Sequence, residues 1–181
     1  MAMQGQKDDL ISLSVTRTKA SCATGDETAR LMSLAASIPV LSCEGACIRG
    51  DIARIAANSL ARNSGFGRGC GGELLTAPES GMAGWIREAK EVVCVDGCHM
   101  RCQSRILENL LESGRLLVFD AQAFHGRYST IFSIDDVPEC ERKAVGEEVA
   151  VAIASALLGG QSDIVTSPNG CGADSGRCGE E

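Results

Sequence analysis

Two short apolar runs, Ile38 to Ser42 and Glu91 to Val95, each lead into a cysteine cluster that opens onto a helical pattern. The first cluster reads Cys43-Glu44-Gly45-Ala46-Cys47. The second reads Cys94-Val95-Asp96-Gly97-Cys98-His99-Met100-Arg101-Cys102. Strands separated by helices build a parallel sheet, because a parallel partner is reached only through a long crossover. The same arrangement sets the thiols at strand ends and helix starts, where open α/β sheets bind ligands. Displacing the chain by 51 positions matches Cys43 with Cys94, Cys47 with Cys98 and Arg54 with Arg105, an echo of shared local geometry.

The remaining pattern predicts a three-layer α/β domain, with a mostly parallel sheet and helices on both faces. Residues 10 to 16 alternate apolar and polar, as a half-buried or edge strand would. Helical spacing marks 26–36, 51–61, 78–90, 100–112 and 139–158, and Glu73 to Thr76 and Leu116 to Phe119 read as further strands. Residues 65–72 form a Gly-rich loop holding Cys70, and 120–137 carry no clear period. One domain over residues 1–158 is expected. From 159 to 181 the chain is mostly Gly, Ser, Asp and Pro with Cys171 and Cys178, the composition of a flexible tail.

The net charge of −7 argues against nucleic acid, since neutralising phosphates needs clustered Lys and Arg. No apolar run approaches the roughly 18 residues of a membrane span. The polar start, Met1 to Asp9, has no apolar segment behind a basic one, so no secretory signal is expected and the cytoplasm is the expected compartment. In a reducing compartment, clustered cysteines point to metal binding or redox chemistry rather than to disulfides.

Cys98 and Cys102, four apart at a predicted helix start, are expected on one helix face, and Cys43 and Cys47 repeat the spacing. Two such pairs can surround one tetrahedral ion, with Zn–S bonds of about 2.3 Å. Cys70 lies among glycines that allow close approach, and can complete the site in place of Cys47 or Cys94. Helix N-termini favour thiolates there, and Arg49, Arg54, Arg101 and Arg105 flank the clusters. Asp96 is expected to shape the turn before Gly97. His99 is a candidate further ligand or an exposed residue, and His125 has no evident partner. Cys94, ending an apolar strand, reads as a buried small side chain. There is no phosphate loop of the G-x-x-x-x-G-K-[ST] type, no strand-linked G-x-G-x-x-G and no readable Ser/His/Asp set.

Val95-Asp96-Gly97-Cys98 followed by Cys102 resembles the DGC-domain family, described as candidate zinc-binding proteins and named for the Asp-Gly-Cys motif. The resemblance extends to Leu41 through Ala53, to Arg68-Gly69-Cys70 and to Ile134-Asp135-Asp136-Val137-Pro138, covering residues 38 to 158. It implies four chelating cysteines, carried most directly by Cys43, Cys70, Cys98 and Cys102, with Cys47 typical of a subgroup. Gly71 stands where the family pattern leads one to expect histidine. The family carries no assigned reaction.

The expectation is therefore a cytoplasmic zinc-binding protein with candidate ligands Cys43, Cys47, Cys70, Cys98 and Cys102. Its metal is structural or handed to a partner protein. The alternatives are a carrier or redox protein for sulfur or a soft metalloid, working through spare thiols, and an iron–sulfur cluster protein, which four cysteinates would also hold.

Overall fold

The computed structural model describes residues 10–159. Four strands, β1 (Ile38–Ser42), β2 (Phe66–Arg68), β3 (Val92–Asp96) and β4 (Leu116–Asp120), form an all-parallel sheet in the order β2-β1-β3-β4. Seven helices among the described residues surround it: α1 (Ala23–Leu34), α2 (Ile48–Leu60), α3 (Gly71–Thr76), α4 (Gly81–Glu88), α5 (Cys102–Leu107), α6 (Ala121–His125) and α7 (Glu139–Leu157). This is the expected α/β architecture.

Strand alternation sorts the core into two clusters, one on each face of the sheet. Val40, Val93 and Val95 pack with Ile48, Ile52 and Ala56 of α2 and with Val145, Val149 and Ile153 of α7. Their strand neighbours Leu41, Val92 and Cys94 pack oppositely, with Ala29 of α1, Leu74 of α3, Trp85 and Ile86 of α4, and Leu107 of α5. With helices on both faces the central strands are buried throughout, which is why β1 and β3 read as continuous apolar runs.

Pro39 is accommodated in a central strand by register. Ile38 and Val40 direct their peptide groups to β2, through Ile38 N–H to Gly65 O (2.8 Å) and Gly69 N–H to Val40 O (3.0 Å). The donor that proline lacks would therefore face β3, ahead of the first β1–β3 pair, Val40 with Val93. On the α2–α7 face, the buried Asp51 carboxylate pairs with Arg54 of its own helix and with Arg142 of α7, tying the two helices together.

Several local expectations give way. Residues 10–16 form no strand, and Leu10 is 82%, Ile11 92% and Leu13 82% exposed. Neither edge strand, β2 nor β4, pairs with this segment, and alternation alone does not make a strand. Glu73 to Thr76, read as a strand, belongs to α3, with Leu74 N–H bonded to Cys70 O at 3.2 Å and Ala77 N–H to Glu73 O at 2.9 Å. The Gly-rich stretch supplies a strand instead: Phe66, Gly67 and Arg68 pair with Ile38, Pro39 and Val40. A Cβ on Gly67 would stand 2.6 Å from Met32 Sδ of α1 and 3.0 Å from Trp85 Cη2 of α4, so a larger residue would have to displace those side chains. The helix expected over 100–112 is shorter, beginning at Cys102. The tail from residue 160, with Cys171 and Cys178, lies outside the described residues.

Candidate metal centre

The chain passes from β1 outward to β2, then crosses back to place β3 on the other side of β1. Such a reversal opens a crevice beyond the carboxyl ends of the two central strands. Because all four strands run the same way, the segments after β1, β2 and β3 emerge at one edge. Those segments carry all five candidate ligands.

Cys43 follows β1 directly, and its N–H extends the ladder to Val95 O at 2.9 Å. Its thiol is buried, and the Gly45 and Gly97 N–H groups point at the sulfur. Burial pushes this thiol above the usual range in spite of those donors, and the nearby Cys102 and Asp96 charges act in the same direction. The close approach depends on glycines. A Cβ on Gly97 would lie 2.7 Å from the Arg49 carbonyl group, and one on Gly50 would lie 2.6 Å from Gly45 O. The loop after β3 is thus pressed against the first turn of α2.

Asp96, the last residue of β3, is fully buried and does more than shape a turn. Its Oδ1 accepts the Gln103 N–H at 2.9 Å and its Oδ2 the Ser104 N–H at 3.3 Å. These are donors of the first turn of α5, whose preceding residue Arg101 is left-handed (φ 52°) and offers no side-chain cap. Asp96 therefore caps α5 from across the loop and closes the segment bearing Cys98 and Cys102. The Cys94 thiol donates to Oδ2 at 3.9 Å. Burial, reinforced by the Asp96 charge, pushes that thiol far up, so Cys94 is the inert core side chain expected.

The left-handed Arg101 also corrects the expectation that Cys98 and Cys102 share a helix face. Cys98 lies before α5 in a turn closed by Arg101 N–H to its carbonyl at 3.0 Å, and Cys102 is the first helical residue. Cys98 is half-buried and Cys102 exposed. Cys47 precedes α2 and Cys70 precedes α3, both half-buried and neither making a side-chain cap bond. The turn after Cys70 reaches α5, for a Cβ on Gly71 would stand 3.2 Å from Gln103 Nε2.

The fold brings Cys43 within electrostatic reach of Cys102 and brings the Cys70 turn against α5. It does not assemble a finished cage. Among the described residues, no three or more His, Cys, Asp or Glu side chains stand together as a metal site. No disulfide joins Cys22, Cys43, Cys47, Cys70, Cys94, Cys98 or Cys102. The donor chemistry therefore suits a thiophilic ion, and chelation requires side-chain rotation at the half-buried and exposed cysteines.

Outside this edge, His99 is exposed, and His125 Nδ1 accepts the Arg127 N–H at 2.9 Å. Cys22 caps α1, accepting the Gly25 N–H at 3.4 Å, beside Glu73 of α3. Arg68, named above only as part of Arg68-Gly69-Cys70, has a role that no motif assigned. Its guanidinium reaches Ser42 and Glu44, on either side of Cys43. Its one mark in the sequence is its place two residues before Cys70.

The family model of the DGC domain matches residues 39–144, more than half of the chain, and the chain belongs to that family. No curated protein and no solved structure matches it.

Proposed function

We propose that this DGC-domain chain is a cytoplasmic zinc-binding protein whose ion is held by Cys43, Cys70, Cys98 and Cys102, with Cys47 the alternative to Cys70. The observation that carries the reading is the meeting of three cysteine-bearing turns at the β1/β3 reversal, with Cys43 in reach of the Cys102 charge. Cysteine sulfurs outside any disulfide are the donor set that zinc takes, as thiolates, in closed structural sites.

The chain's own residues prepare the site. Asp96 fixes the turn that presents Cys98 and Cys102, and the Gly45 and Gly97 N–H groups offer hydrogen bonds to the Cys43 sulfur. Such donors help a cluster of thiolates to share one ion. Bound zinc would cross-link β1, β2 and β3 at their carboxyl ends, so its binding free energy would add to that of folding. Exposure of Cys102 gives a route by which a partner protein could receive the ion.

Elemental analysis of the purified protein, with alanine substituted in turn for Cys43, Cys47, Cys70, Cys98 and Cys102, tests the ligand set. Loss of metal in Cys43→Ala, Cys98→Ala and Cys102→Ala, and in one of the other two, is expected. Full retention in a Cys98→Ala, Cys102→Ala double variant would end the proposal. An absorption band in the visible would replace zinc by an iron–sulfur cluster, since zinc is spectroscopically silent.

A further inference from the structure

We propose that Arg68 is the positioning residue that yokes Cys43 and Cys70 into one chelating pair, by bonding at once to the chain on both sides of Cys43 and to the residue before Cys70. The inference rests on the metal reading above and assigns the residue that sets the spacing of two of its ligands.

Arg68 ends β2, two residues before Cys70, and its five N–H donors meet five acceptors. Nε donates to Asn58 Oδ1 at 2.9 Å. Nη1 donates to Val40 O at 2.8 Å and to Gly69 O at 3.1 Å. Nη2 donates to Ser42 Oγ at 2.6 Å and to Glu44 Oε1 at 2.5 Å. The Ser42 hydroxyl in turn donates to the same Glu44 oxygen at 2.7 Å. A guanidinium carries five N–H groups, so none is left over for a ligand. That saturation separates a residue that holds the site from one that would bind substrate or anion.

The clamp has a mechanical reason. β2 is an edge strand of three residues, and its ladder with β1 has three paired positions. So short a ladder fixes the direction of the strand but holds its end weakly. Cys70 hangs beyond that end, and Cys43 hangs beyond the end of the neighbouring strand. One planar fork gripping Gly69, Ser42 and Glu44 together fixes these two departures relative to each other. Lysine cannot substitute, because an ammonium offers three donors about one point and cannot span acceptors on two strands and a loop.

The test compares wild type with Arg68→Lys and Glu44→Gln in two arms. In the first, zinc affinity is read by competition with a chromophoric chelator, and cobalt(II) is used as the spectroscopic probe. Thiolate-to-cobalt absorption reports how many sulfurs bind, which a loss of stability alone would not change. Arg68→Lys is expected to weaken zinc binding by about 10- to 100-fold, the usual effect of losing a group that orients ligands. Its cobalt band is expected to fall by about a quarter, one thiolate of four. In the second arm, dibromobimane, which bridges neighbouring thiols, is applied to metal-free protein and the linked peptides are mapped. The Cys43–Cys70 bridge is expected in wild type and is expected to be lost in Arg68→Lys.

Unchanged affinity and an unchanged cobalt band in Arg68→Lys overturn the inference. A Cys43–Cys70 bridge formed equally in both proteins overturns it as well. Wild-type protein that takes up neither zinc nor cobalt overturns the metal reading instead, and the bridge then decides the role of Arg68. Should Arg68→Lys fail to fold, Glu44→Gln is read in the same way. It weakens one contact of the five at a side chain already 55% exposed, and an unchanged cobalt band and bridge there overturn the clamp.

Discussion

Replacing Asp96 by alanine should cost the metal-free protein a substantial part of its stability. The carboxylate is fully buried and accepts two main-chain N–H groups of α5, at 2.9 and 3.3 Å. Hydrogen bonds to charged acceptors contribute about 1.5–3 kcal/mol each, and the pair would reach about 3–6 kcal/mol if both donors stayed dry. They would not both stay dry, because α5 has six residues and begins at the exposed Cys102, so water can reach the unwound turn. The loss of a helix cap, about 0.5–2 kcal/mol, is the floor. An expected cost of about 2–4 kcal/mol lies between these limits. With a urea slope of about 2 kcal/mol/M, the midpoint should fall by about 1–2 M. Asp96→Asn keeps one acceptor but turns an amide N–H toward a helix donor, and should lose about 1–2 kcal/mol. Hydrogen exchange should accelerate first at the Gln103 and Ser104 amides. A metal-free Asp96→Ala protein within about 0.5 kcal/mol of wild type, the worth of one weak hydrogen bond, would refute the capping argument.

Gly97→Ala would push a methyl to 2.7 Å from the Arg49 carbonyl group, which is main chain and cannot swing away. It should cost about 1–3 kcal/mol by thermal or urea unfolding, and a neutral result would mean the two turns are less tightly pressed. Arg142→Ala leaves the buried Asp51 carboxylate with only the half-exposed Arg54. It should cost about 3 kcal/mol, the low end for breaking a buried pair, measured by the same unfolding. His125 is held below its ordinary value of 6.5, first by burial and then by the Arg127 charge. The unfolded chain therefore binds that proton more readily, so this group's contribution to stability falls as pH drops through 6.5 and below. Its NMR titration midpoint should lie under 6.5, and a midpoint at or above 6.5 would contradict the placement.

The parts of the fold legible in sequence are those where local pattern and tertiary role agree. β1, β3 and β4 are unbroken apolar runs between helices, and α7 spans nineteen residues of helical composition. β2 was illegible because Phe66-Gly67-Arg68 becomes a strand only by pairing with β1, and its glycine lies against Met32 and Trp85, far away in sequence. Residues 73–76 misled in the opposite way, since Leu74-Leu75 suits a strand as well as a short helix, and hydrogen bonds from the turn at Cys70 decide for the helix.

The candidate site divides similarly. That thiols end strands and precede helices can be read from spacing, and parallel strands then force those ends to one edge. The left-handed Arg101 cannot be read, and it takes Cys98 off the helix. The Arg68 clamp joins residues up to 28 positions apart, and the Asp96 cap crosses seven and eight. Neither follows any helical or strand period, so no local pattern announces them.

The most direct test of the central claim is X-ray absorption at the zinc edge on protein purified with its metal. About one zinc per chain is expected, surrounded by four sulfurs at about 2.3 Å. A shell dominated by nitrogen or oxygen, or protein that carries no zinc, would contradict it.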